Sequence, residues 1–322
     1  MKKPLFLFAL IFVLCFVSIE AEEPSSSMDL VTDFTVWPQN LPLYGMTSDH
    51  FAPITAIYQE VELRSIFSYY YKIPVPFGTN PLVSGNNVRL VGSVELTPVS
   101  LALEPYVEFT PVAFLVFSSG LKIGTGWQFI GINGLASYDD SHGKYVSATP
   151  FGDWYFRVWM QGLFQFDLAA VLPGDWNHVV TQSSYKVMYT NSTSAGSKEL
   201  WGWQGSGELV DGWEFYSSVI LGYQMPLVFQ MAGIQFEFSG YYDPDGIKPE
   251  YRAFKNDFTT VQINPVAIFQ FNEHHSLTLM LNFCTRRAFD RAPGENESKV
   301  NLSYTSAEWI FRRVAFRYTY NF

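Results

Sequence analysis

RRVAFRYTYNF, residues 312–322, closes the chain on an aromatic side chain. Val314, Phe316, Tyr318, Tyr320 and Phe322 take every second position, and Ala315, Arg317, Thr319 and Asn321 fill the alternate ones. A strand sends successive side chains to opposite faces, so this stretch has one apolar and one polar face. In a soluble sandwich the apolar face turns inward. In a transmembrane barrel it faces lipid, and the polar face lines the lumen. The stretch alone fits both arrangements.

The other end of the chain bears on compartment. MKKPLFLFALIFVLCFVSIEAEEPSSS (residues 1–27) has a basic start at Lys2 and Lys3, an apolar run from Leu5 to Ile19 and the small Ala21 ahead of an acidic, serine-rich stretch. That order predicts a secretory signal peptide over residues 1–21, cleaved near Ala21. Cys15 follows the bulky Leu14 and reads as part of the apolar run. Cleavage leaves Cys284 alone, which excludes an internal disulfide and argues against a cysteine-based metal site.

Composition narrows the class. Aromatic residues make up 18% of the chain and charged residues 16%, against about 25% charged in ordinary soluble domains. The net charge is -10 with no basic stripe, so a nucleic-acid partner is not expected. Beyond residue 21 no apolar run reaches the roughly 18 residues of a membrane helix. The apolar residues recur instead with a period of two. Ile57, Val61, Leu63, Phe67 and Tyr69 face away from Tyr58, Glu60, Glu62 and Arg64. Trp154, Phe156, Val158, Met160, Phe164, Phe166 and Leu168 oppose Asp153, Arg157, Gln161, Gln165 and Asp167. Ile234, Phe236 and Phe238 oppose Gln235, Glu237 and Ser239 in the same way.

The breaks between strands alternate in length. Short ones fall at residues 96–100, 172–176, 223–227 and 272–276, and long polar or Gly/Pro-rich ones around 72–87, 118–150, 191–211, 243–256 and 287–299. This predicts an all-β, antiparallel transmembrane β-barrel over residues 54–322 with about ten strands, within a range of roughly eight to twelve. The strands are expected at residues 54–71, 88–97, 99–117, 151–171, 176–190, 210–224, 227–242, 257–271, 276–286 and 300–322. A further hairpin in SSGLKIGTGWQFIGING (residues 118–134) is set aside, because a tight turn at Ser118 to Gly120 inverts every later connection. Several strands exceed the roughly 9–11 residues that cross a bilayer, so the wall is expected to project on the outer side. Pro111 and Pro265 read as bulge or edge positions.

With its signal peptide, its VAFRYTYNF ending and this alternation, the chain resembles the bacterial outer-membrane β-barrel proteins. The resemblance implies residence in the outer membrane with lipid as surroundings. It also implies an assembly signal at Phe316, Tyr318, Tyr320 and Phe322 that the barrel-assembly machinery recognises. Residues 22–53 fall outside the resemblance and read as a periplasmic tail or a plug.

The predicted lumen lining is Glu60, Glu62, Arg64, Arg89, Glu95, Glu104, Glu108, Arg157, Asp167, Glu237 and Arg317. Its acidic excess favours cations if water fills the lumen. If the lumen is closed, the same groups form a plugging core of paired charges, since unpaired charge away from water is costly. A narrow channel for small solutes and a non-conducting barrel used for adhesion or envelope structure therefore both stand. A wide general porin does not fit a barrel near the filled end of the size range. SAGSKELWGWQGSGELVDGW (residues 194–213) carries Trp201, Trp203 and Trp213, which read as a platform for a surface ligand, as an interfacial girdle or as a loop folded inward.

No catalytic, cofactor or metal residues are assigned. Asp243-Pro244-Asp245 and Asp140-Ser141-His142 superficially resemble the paired acids of the omptin proteases, a remote outer-membrane hydrolase alternative, but stand in the opposite chain order. His274-His275 is an adjacent pair at a predicted turn, which sends the two rings to opposite faces. His178 has no serine partner of the kind an outer-membrane phospholipase needs.

Overall fold

The last strand finds its partner at the start of the chain. In the computed structural model, Tyr304–Asn321 pairs antiparallel with Ser25–Asn40, from Asp29 opposite Asn321 to Val36 opposite Val314, and this seam closes the sheet. The structure describes residues 23–40, 51–75, 78, 82–243, 246–294 and 297–322. The expected signal peptide and its cleavage site lie outside them.

In chain order the strands are β1 Ser25–Asn40, β2 Ile54–Pro74, β3 Asn87–Thr97, β4 Ser100–Val112, β5 Leu115–Gly126, β6 Gln128–Phe129, β7 Ile132–Asn133, β8 Leu135–Asp139 and β9 Lys144–Ser147. They continue as β10 Tyr155–Asp167, β11 Val179–Ser192, β12 Trp201–Trp203, β13 Ser206–Leu209, β14 Gly212–Gln224, β15 Phe229–Tyr241, β16 Thr260–Gln270, β17 His275–Phe289 and β18 Tyr304–Asn321. Twelve of these form one closed barrel in the order β1-β18-β17-β16-β15-β14-β11-β10-β5-β4-β3-β2. β13, β12, β8 and β9 form a separate four-stranded sheet.

The count of twelve is the upper end of the expected range, and two strands account for the difference from ten. Residues 25–40 are a wall strand, so the barrel begins before residue 54 and this part of the 22–53 segment is neither tail nor plug. The expected strand 99–117 is a hairpin that turns at Ala113 and Phe114, with Val112 opposite Leu115. The two omissions cancel in parity. The long connections 127–154, 193–211, 242–259 and 290–303 leave the end opposite the termini, as expected. The connections at 75–86 and 98–99 instead exchange ends: the longer one lies at the terminal end and the tight turn at the loop end. The register shift between Phe109 and Val112 brackets Pro111, which lacks the N–H that regular pairing needs.

The wall is not of even height. β1, β2, β17 and β18 are neighbours and run 16, 21, 15 and 18 residues, while the other wall strands have 11 to 14. β2 stops pairing with β3 at Ser65 and continues to Ile54, so this flank rises above the opposite one at the loop end.

Outward positions are apolar. Phe34, Leu63, Phe67, Val94, Leu103, Val107, Phe117, Met160, Phe164, Leu221, Phe238, Phe316 and Tyr318 are all exposed on the outside of the wall. An apolar band around a closed barrel matches the lipid-facing surface of transmembrane barrels. Phe322 joins it at the terminal rim, where its backbone N–H bonds Met28 and its ring meets Tyr320 edge-on at 4.8 Å. The buried apolar core lies at the other end, in two larger clusters and a small one of Ala52, Cys284 and Ile310. Leu200, Val210, Ile247, Tyr251, Phe254, Phe289, Val300 and Leu302 unite the outer loops. Ala102, Leu135, Ala148, Tyr155, Trp201 and Trp203 fasten the four-stranded sheet into the barrel mouth.

Candidate functional site

Because the side-chain period is two, the register that places Phe316, Leu63 and Val94 outside places Arg317, Arg64 and Glu95 inside. Asp33 on β1 sits between Arg64 on β2 at 2.5 Å and Arg317 on β18 at 2.7 Å. Arg64 also faces Glu95 at 3.7 Å, and Glu95 is held by Lys122 at 2.8 Å, with Glu104 3.9 Å from the same ammonium. One chain of alternating charge thus crosses β18, β1, β2, β3, β4 and β5. Across the lumen Arg157 lies 3.7 Å from Glu214, and its Nε donates to the Thr190 hydroxyl at 3.1 Å. Glu237 accepts from Tyr216 and from Asn264 Nδ2 at 2.8 Å, and Asn282 Nδ2 donates onward to Asn264 and Gln262 at 2.5 and 2.9 Å.

The remaining predicted lining residues lie nearer the two ends. Arg89 pairs with Glu108 at 3.0 Å and stacks over Tyr70. Asp167 is at the terminal end, where its carboxylate meets His178 Nδ1 at 2.6 Å and accepts from the Ala169 N–H at 3.0 Å. Glu60 and Glu62 border a space at the loop end beside the mouth. Sequence reasoning missed Asp33 and Lys122, both central to the charge chain, because their strands were read as a tail and as a loop.

The mouth is partly filled by a lid. Connections 127–154 and 193–211 meet there, pairing Trp201 with Ser137 and Trp203 with Leu135. Trp201 is fully buried, and Trp203 stacks on the inward-facing Tyr155 at 4.7 Å and 14°. Two glycines make room. A Cβ at Gly134 would lie 1.8 Å from the Val99 carbonyl oxygen, and one at Gly124 would lie 2.6 Å from the Trp203 ring. Gln204 Nε2 reaches down to Glu95 at 2.8 Å and to the Ser100 hydroxyl at 2.9 Å. Of the three readings given for the tryptophans, the inward-folded loop describes Trp201 and Trp203. Trp213 stands on the wall, 53% exposed.

Further ties join the lid to other loops. Glu208 faces Lys299 at 2.9 Å and Arg287 at 3.5 Å. Lys248 faces Asp140 at 2.5 Å and Glu199 at 3.6 Å; its bond to Asp140 raises its pKa. Asp211 accepts from Trp201 Nε1 and the Ser192 N–H, yet burial raises its pKa. Two left-handed positions fall here as well: Gln204 and Glu208 have φ of 52° and 66°, a backbone that costs a residue with a Cβ about 1–2 kcal/mol. Both are residues whose side chains anchor the lid.

The motifs weighed for catalysis resolve into local structure. His142 Nδ1 meets Asp139 Oδ2 at 2.6 Å and Ser141 Oγ at 3.0 Å, so acid and hydroxyl share one ring nitrogen and form no relay through the imidazole. Asp140 turns away to Lys248. Pro244 and Asp245 lie outside the described residues. His274 and His275 diverge, to the Asn321 carbonyl at 2.7 Å and the Tyr318 hydroxyl at 2.6 Å.

No protein-family model matches the chain, and no curated protein does. Solved structures with a similar course include an outer membrane channel from Pseudomonas putida F1, at 9% identity over 95% of this chain and 100% of that one, with a TM-score of 0.50. The β domain of the Bordetella autotransporter BrkA aligns at 9% identity over 92% and 98%, with a TM-score of 0.44. The KdgM porin aligns at 8% over 91% and 99%, with a TM-score of 0.39. At such identities the likeness is one of fold: the chain has the closed antiparallel architecture of outer-membrane β-barrel proteins.

Proposed function

We propose that the protein is an integral outer-membrane channel of narrow bore for small solutes, with its termini in the periplasm and its lid at the outer mouth. The observation that carries this reading is that several inward-facing charges stay open to the lumen, while their partners Asp33, Glu95 and Lys122 are largely buried. Arg317, Arg89, Arg157, Arg64 and Glu104 keep 50, 38, 31, 30 and 29% of their side-chain surface exposed inside a closed wall. A plugging core would bury such groups, because desolvated charge is costly even when paired. Twelve strands also enclose more space than the eight whose side chains fill a barrel. The lid leaves a cavity of about 700 Å³ against the tall flank, bordered by Trp37, Glu62, Thr97, Tyr145, Gln204 and Arg312. This is the side on which a solute passes the lid.

Of the three tryptophans behind the surface-ligand reading, Trp201 and Trp203 are buried in the lid and Trp213 is exposed on the wall. Liposome swelling tests the proposal. Vesicles containing the folded protein should swell in small sugars or amino acids and resist larger oligosaccharides; vesicles that swell in neither show a closed barrel.

A further inference from the structure

The cavity beside the lid adjoins a smaller recess of about 250 Å³ under the rim of β17 and β18, and the two share Glu208, Lys299 and Arg312 as lining. The recess is also lined by Arg286, Arg287, Thr260 and Thr285. Its charge is not balanced. Arg286 is matched by Glu308 at 2.5 Å, a carboxylate that is 1% exposed. Among the described residues, Arg287, Lys299 and Arg312 then face one carboxylate, Glu208. Arg312 has no carboxylate partner among the described residues; it lies over the Trp37 ring, 4.8 Å from its centroid. Arg287 is fixed by stacking on Phe254 at 3.6 Å and by donating to the Lys255 carbonyl at 3.2 Å. Guanidinium groups held in this way are preorganised for carboxylate or phosphate oxygens.

We propose that Arg287, Lys299 and Arg312 form a binding site for a small dianionic oxyanion, such as a phosphate group or a short dicarboxylate, which competes with the Glu208 carboxylate for Lys299 and Arg287. The volume sets the size: it lies below the roughly 300–1,000 Å³ of sites for drug-sized ligands. The charge sets the class, because two positive charges beyond Glu208 call for two negative ones. Competition follows from position. Glu208 belongs to the lid, its backbone is left-handed at φ 66°, and its carboxylate spans Lys299 and Arg287. An anion that takes these partners removes one tie between lid and wall, so occupancy of the recess loosens the lid. The site deepens the channel reading, on which it depends only for its route of access. It adds a basic patch at the rim to the acidic lining expected from the sequence, since Arg287, Lys299 and Arg312 were not among the residues counted there.

Titration of the folded protein in detergent micelles tests this without any need for conduction. The probes are sodium phosphate at alkaline pH and disodium succinate, each against sodium chloride at matched ionic strength, read by calorimetry and by the fluorescence of the chain's tryptophans. Saturable binding of either probe that chloride does not reproduce is expected; phosphate alone or succinate alone identifies the preferred group. Arg312→Gln and Lys299→Gln should each weaken binding roughly tenfold or more, the scale of one charge-assisted bond. Glu208→Gln should tighten it, a sign that a merely structural role does not produce. Absence of saturable binding, equal binding in Arg312→Gln and Lys299→Gln, or weaker binding in Glu208→Gln overturns the site. Conduction without binding discards this site alone, and binding without conduction discards the channel alone.

Discussion

Replacing Trp203 by alanine should release the lid while leaving the barrel intact. The indole is 9% exposed, stacks on Tyr155 at 4.7 Å and fills the space above Gly124. Truncating a buried tryptophan to alanine costs about 3–5 kcal/mol in a core that cannot collapse. The barrel mouth is next to water, which refills part of the void, so the lower end of that range, about 3 kcal/mol, applies. At about 1.4 kcal/mol per tenfold, the ratio of undocked to docked lid rises roughly a hundredfold. The loss falls on the lid because Tyr155 remains anchored in the wall pairing, from Gly124 on one side to Ser192 on the other. Single-channel recording in planar bilayers reads the change as longer or more frequent dwells in a larger-conductance state. Trp203→Phe, which keeps a ring for Tyr155, should lie between wild type and Trp203→Ala. Folded Trp203→Ala with the same conductance and the same dwell times as wild type would refute the lid.

Other perturbations test separate parts of the structure. Asp33→Asn removes the charge shared by Arg64 and Arg317; it should lower stability by about 1–3 kcal/mol, read from urea unfolding in micelles, and shift ion selectivity toward anions. Glu297 is bonded by Arg291 and by the Gly294 N–H, which hold its pKa down to about 2. A folded pKa below the unfolded value stabilises the folded loop above the ordinary carboxylate range, and this contribution disappears as pH falls toward 2. NMR titration should therefore place the Glu297 midpoint near 2 and the loss of its Arg291 contact in the same window, whereas a midpoint near the ordinary glutamate value contradicts the pairing. Deleting Phe322 removes the ring packed on Tyr320 and Phe67 at the rim; the heat-modifiable, membrane-inserted fraction should fall sharply in cells, and unchanged insertion would show that the terminal aromatic is not part of the assembly signal.

The wall was legible in the sequence wherever one face was uniformly apolar, as in β10, β15 and β18. β1 was harder to read. Val31 falls on its polar face, and Thr32 falls on the outer one, where its hydroxyl lies 3.4 Å from that of Ser65 across the strand pair. The turn at Ala113 and Phe114 carries none of the Gly, Asn or Asp residues by which tight turns announce themselves. Two missed strands restored the parity that one would have inverted, so the later loops kept their proper end. The lining charges on recognised strands were readable from alternation. Their partners were not, because pairing depends on which strands are neighbours around the closed wall: Asp33 and Arg317 lie 284 residues apart in sequence. The lid was beyond periodicity altogether. Its signals are glycines at 124 and 134, which carry meaning only once the Trp203 ring and the Val99 carbonyl are placed against them.

The central claim is that water and small solutes cross this barrel past the lid. Single-channel conductance of the purified, folded protein in planar bilayers tests it most directly. The account predicts discrete, small steps that grow when Trp203 is replaced by alanine. A folded protein that inserts into the bilayer and yields no steps, either as wild type or with the lid tie removed, would contradict it.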